Sequence, residues 1–140
     1  QAQILDLMRD LRARLDMAMI LITHDLGVIA ETCDRVYVMY AGQFVEAAPV
    51  VELFCNPRHP YTQGLIAATP LLGEPERTLH TIPGAVPHLA APLAGCAFAP
   101  RCAARVAHAL TVCTEAAPAL EQVAPGHWVR CWLDATREGG

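Results

Sequence analysis

The chain has 140 residues, 54% of them hydrophobic, with a formal charge of −4 and a pI near 5.8. That length and composition suit a globular chain with a sizeable core and exclude a disordered one, while the acidic balance leaves no basic footprint for nucleic acid or an anionic membrane surface. All ten cationic side chains are arginine, and a chain without lysine cannot close the glycine-rich phosphate loop that ends in Gly-Lys-Ser/Thr.

The N-terminal stretch "QAQILDLMRDLRARLD" carries charges inside its apolar pattern, has no signal-peptide cleavage signature and starts without Met. It reads as cytosolic and as a piece of a longer protein. Ile4, Leu7, Met8, Leu11 and Leu15 recur at three- and four-residue steps, which predicts an amphipathic helix over 2–15 with one face toward a core. The apolar run 18–23 predicts a strand buried on both faces of a parallel sheet, ending at His24. Asp25 is placed to cap a short helix over 26–32. Residues 35–40 and 43–47 predict a hairpin around Ala41-Gly42.

All 11 prolines lie between Pro49 and Pro125, so the second part of the chain is cut into short pieces. Short helices are predicted over 50–54 and over 61–69, the latter entered through His59-Pro60 with proline in its first turn. Residues 70–95 predict an irregular loop with one short strand near Thr81-Ile82. These features divide the chain into an α/β portion, residues 1–48, and an irregular, proline-rich, cysteine-bearing extension, residues 49–140.

Four cysteines of that extension, Cys96, Cys102, Cys113 and Cys131, form the strongest chemical set. Cytosolic thiols stay reduced, so clustered cysteines point to metal or redox chemistry rather than to disulfides. Four thiolates suit tetrahedral zinc or an iron-sulfur cluster. The intervals of five, ten and seventeen residues lack the close knuckles of zinc sites and favour a cluster over zinc, with ordinary buried thiols as the bland alternative. Cys33 and Cys55 are assigned to core packing, His59 to helix entry, and Trp128 and Trp132 to covering whatever the four cysteines enclose. His127, four residues before Cys131, is a substitute ligand of the kind found in Rieske centres.

The stretch "ITHDLGVIAETCDRVYVMYAGQFVE" resembles the switch-histidine segment of ABC transporter ATP-binding subunits. "NPRHPYTQGLIAATPLL", "TIPGAVPHL", "GCAFAPRC" and "GHWVRCWL" resemble the C-terminal extension of the oligopeptide/dipeptide importer branch, so the resemblance covers nearly the whole chain. It implies the C-terminal portion of an ABC-type P-loop ATPase domain followed by the extension. His24 would be the switch histidine that meets the ATP γ-phosphate and holds the attacking water. Cys96, Cys102, Cys113 and Cys131 would carry a 4Fe-4S cluster. The interval before Cys113 is longer than the family's by about one helical turn, which leaves Cys113 and His127 as competing ligands.

The resemblance further implies ATP and Mg as cofactors of the intact subunit. Its partners would be the rest of its own ATP-binding domain, a second ATP-binding subunit and the membrane subunits of the importer, with no nucleic acid. The phosphate loop, signature motif and catalytic carboxylate would all lie upstream, so the chain alone is expected to be inactive. The reading from a different class is a stand-alone metal-binding interaction module in which His24 is structural.

Overall fold

Two antiparallel hairpins from distant parts of the chain meet edge to edge, and Ala97 and Phe98, from the chain between them, pack against Tyr40 and Val45 of the first. The computed structural model describes residues 2–69, 81–87 and 93–135. Helix α1 (Ala2–Leu15) precedes α2 (Leu26–Thr32), β1 (Arg35–Tyr40), β2 (Gln43–Pro49), α3 (Val50–Cys55) and α4 (Pro60–Ala68). After a 3-10 turn, Ala99–Arg101, come α5 (Ala103–Ala107), α6 (Val112–Glu115), β3 (Glu121–Ala124), β4 (His127–Val129) and α7 (Trp132–Ala135).

Local chemistry accounts for most of the first half. Asp25 caps α2, its Oδ1 accepting from Gly27 N at 2.9 Å and Val28 N at 3.1 Å. The β1–β2 turn needs two left-handed residues, and Ala41 and Gly42 supply φ of 47° and 77°. That is the primed geometry that matches strand twist. A register shift between Val38 and Met39 bends the hairpin.

The sheet order is β1-β2-β4-β3, antiparallel throughout, with β2 joined to β4 through Glu46↔Val129 and Ala47↔Trp128. Two apolar clusters flank it. Val36, Ala48 and Leu53 pack beneath α3, while Tyr40, Val45, Ala97 and Phe98 pack where the cysteine loop meets the sheet. In the second cluster Tyr40, Tyr61 and Phe98 form a ring triad with centroid separations of 4.6, 5.2 and 5.4 Å. Arg101 ties the 81–87 loop to this cluster, donating to the carbonyls of Ile82 and Pro83 at 2.9 Å each and to the Tyr40 hydroxyl at 3.3 Å.

Several expectations need correction. Residues 18–23 form no strand, and Ile20 and Ile22 stand 91% and 94% exposed. A parallel strand needs neighbours brought in by crossover connections, and no described segment provides one. For the same reason α1 forms as predicted while Ile4, Leu7, Leu11 and Leu15 stay exposed along its apolar face. Thr81-Ile82 lies in irregular chain rather than a strand, and the parts of the predicted loop at 70–80 and 88–92 lie outside the described residues. Cys55 is exposed rather than packed in a core.

Candidate functional site

The proline-rich segment folds so that its four cysteines line one small cavity of about 10 Å³, together with His59, Arg105, Leu110 and Trp132 among others. That volume is close to a single water molecule. Cys96 and Cys113 are drawn together by a backbone bond, Cys96 N donating to Cys113 O at 2.8 Å. Gly95 permits the approach, because a Cβ there would collide with the Cys113 carbonyl oxygen and sit 2.8 Å from the Thr114 carbonyl carbon. Cys102 caps α5, its Sγ accepting from Arg105 N at 3.3 Å. The long interval before Cys113 is taken up by α5 and the turn after it, where Ala109 adopts φ of 50°, so that α6 still carries Cys113 to the cavity.

Three of these thiols are shifted toward the neutral form. Burial, with smaller contributions from the neighbouring Asp134, Cys96 and Cys102, pushes the Cys131 thiol up to about 12. Burial also raises Cys96 and Cys113, with other members of the set as a second cause. Such thiols repel one another once ionised, and a bound cation would reverse that balance. As placed, no group of three or more His, Cys, Asp or Glu side chains among the described residues adopts the arrangement that would hold a metal ion.

Four thiols border the cavity, but at about 10 Å³ it has room for one water rather than for an iron-sulfur cluster. Two residues of the lining, His59 and Arg105, each carry a buried side-chain nitrogen, Nε2 and Nε, that lacks a hydrogen-bond partner among the described residues.

A second buried constellation lies beside this one. Glu46 and His127 are fully buried and bonded at 2.7 Å, Nε2 to Oε1. Glu46 also accepts from the backbone N–H of Arg58 at 2.7 Å and of His59 at 2.9 Å. His127 Nδ1 lies 3.7 Å from Glu52. His127 is therefore engaged with the β2 carboxylate and does not line the cysteine cavity, whereas Cys113 does. His59 enters α4 as its N-cap, Nδ1 accepting from Tyr61 N at 3.1 Å. Trp132 lines the cavity and donates to Ala116 O at 2.9 Å, but Trp128 is on the exposed side of β4 and covers nothing there.

His24 sits apart from the cavity on the exposed turn before α2. The same turn is fixed on its other side by Asp25 N donating to Thr23 Oγ1 at 3.1 Å. Sequence reasoning missed the Glu46–His127 pair and the β3–β4 hairpin that carries one half of it. The signal was there in Pro125-Gly126 between two short extended runs, a turn dipeptide between strands.

Residues 45–108 match the family described as "Oligopeptide/dipeptide transporter, C-terminal region". The chain is 52% identical over 134 residues to the probable peptide ABC transporter ATP-binding protein y4tR of Sinorhizobium fredii, which covers 94% of this chain and 38% of that protein. It is 48% identical over 134 residues to the oligopeptide transport ATP-binding protein OppD of Bacillus subtilis, covering 95% of this chain and 36% of OppD. The chain thus spans less than two fifths of the length of either relative. By that match over 45–108 and those identities along nearly all of its length, the chain belongs to the ATP-binding proteins of oligopeptide/dipeptide transporters and carries their C-terminal region.

Proposed function

We propose that the chain is the C-terminal part of the ATP-hydrolysing subunit that powers a peptide-type ABC importer. In this reading residues 1–48 close an ABC ATPase domain, and residues 49–140 form an extension built around a 4Fe-4S cluster. The single observation that supports the extension's role is the convergence of Cys96, Cys102, Cys113 and Cys131 on one cavity. The exposed apolar face of α1 and the unpaired run 18–23 suit a surface covered by the rest of the same ATP-binding domain. Among the described residues no helix is long and apolar enough to cross a membrane, in keeping with a subunit that reaches the inner face of the membrane through its membrane partners.

His24 is the switch histidine of this reading, acting on ATP and Mg held by upstream elements and a second ATP-binding subunit. Its exposure at the head of α2 leaves the ring open to a ligand approaching that turn. The four cysteines hold the cluster, which when bound links four separated points of the chain and can carry an electron. Burial of apolar surface is limited in such a short, proline-broken segment, so a bound cluster replaces core.

Two measurements on the full-length subunit test this. His24→Ala should lower ATP turnover by roughly a hundredfold or more with little change in nucleotide binding, as for a group that acts mainly in the transition state; full-rate turnover returns His24 to a turn residue. Protein prepared without oxygen should be brown, with stoichiometric iron and sulfide. Colourless protein, with zinc or with no metal, refutes the cluster.

A further inference from the structure

Two of the four cavity cysteines are joined through their main chains. Cys96 N donates to Cys113 O at 2.8 Å, and ordinary backbone dimensions then keep the two Cα atoms within about 6.7 Å of each other. A disulfide spans Cα atoms about 4.4–6.8 Å apart, so this pair lies within bridging range as folded. Gly95 fixes the approach, since a Cβ there would collide with Cys113 O and stand 2.9 Å from Thr114 Cα. Both residues border the same cavity, and the two sulfurs are near enough that an ionised Cys96 raises the Cys113 thiol. Cys102 is differently engaged, its Sγ accepting from Arg105 N at 3.3 Å as the cap of α5.

We propose that Cys96 and Cys113 form a thiol–disulfide switch, which peroxide closes and thiol reductants reopen. The closed form ties the chain just after Gly95 to α6 across a span of 17 residues that includes α5. The inference stands apart from the cluster reading: it concerns the metal-free chain, and closure takes away two of the four thiols that a cluster would need. Cys96 reacts first, because it is half-buried whereas Cys113 is only 7% exposed. Its sulfur takes one oxygen from peroxide, with release of a water, and becomes a sulfenic acid. The Cys113 sulfur then attacks that sulfur and displaces the second oxygen as water. Two electrons pass from the thiols to the peroxide, and two S–H bonds and one O–O bond give way to one S–S bond and two O–H bonds. In a reducing compartment such a bridge is transient, as expected of a sensor rather than of a permanent staple.

The test uses the full-length protein, stripped of metal with a chelator, reduced, and then given a small excess of hydrogen peroxide. Free thiols are blocked before digestion, and mass spectrometry of the peptides reads which cysteines are joined. The Cys96–Cys113 link should be the main product and should revert to two thiols in dithiothreitol. The linked protein should also show a higher Tm, because the bridge restrains the unfolded chain. Gly95→Ala keeps every cysteine but forces the two backbones apart, so its link should form roughly tenfold more slowly or worse.

A main product that joins other cysteines overturns the switch, and so does oxidation of Cys96 to a sulfinic acid without a link. A link formed as readily in urea as in the folded protein also overturns it, as does a folded Gly95→Ala protein that links at the wild-type rate. If Gly95→Ala does not fold, the wild-type peptide map and its urea control decide between these outcomes.

Discussion

His59 serves at residue scale as helix cap, cavity wall and buried base, and its burial has a consequence for pH. Loss of solvation lowers its pKa from the ordinary 6.5 to about 4. Between those values the unfolded chain binds a proton that the folded chain does not, so stability rises with pH across that window. The contribution is complete above pH 6.5 and is lost as pH falls toward 4, by an amount on the order of 3 kcal/mol. Thermal unfolding of metal-free wild type should therefore weaken steeply between pH 6.5 and 4, and His59→Asn should show a shallower slope there. Equal slopes would mean that His59 is solvated in the fold. Helix entry by His59-Pro60 was legible in the sequence because proline in a first turn acts through its own ring geometry. That His59 lines the same cavity as the four cysteines was not, since Cys96 is 37 residues further along the chain.

The decisive contact between elements is made by Glu46. It projects from β2 and accepts from the loop before α4 through Arg58 N and His59 N, and from β4 through His127. One carboxylate thus joins the first hairpin to the second and to the segment that positions His59. Glu46→Ala leaves two buried donors and a part-buried one without an acceptor and should cost about 3–5 kcal/mol. Thermal or denaturant unfolding of the full-length protein reads this, and a loss below about 1 kcal/mol, typical of an exposed pair, would refute the linking role. The exposed pair Arg14–Asp10, 3.8 Å apart on α1, provides that comparison. Elements set by short-range chemistry formed where the sequence predicted them, among them α1, the Asp25-capped α2, and the turn at Ala41-Gly42. Strand pairing is not short-range: 18–23 has strand composition but no neighbour to pair with, and β4 pairs with β2 across some 80 residues of chain.

For the molecule as a whole, the absence of lysine is a hard limit on what the chain does by itself. Without a phosphate-loop lysine the isolated chain should show no ATP turnover above background and no tight nucleotide binding. Calorimetry or equilibrium dialysis checks this, and micromolar affinity would refute it. The sequence by itself determined the charge balance, the helices over 2–15 and 26–32 and the first hairpin, because propensity, capping and turn geometry act within a few residues. Only the tertiary structure decided that Cys113 rather than His127 faces the other three cysteines, that Gly95 lets two backbones touch, and that Glu46 and His127 close the sheet. Each of those outcomes depends on which surfaces are buried together, and burial is a property of the packed chain as a whole.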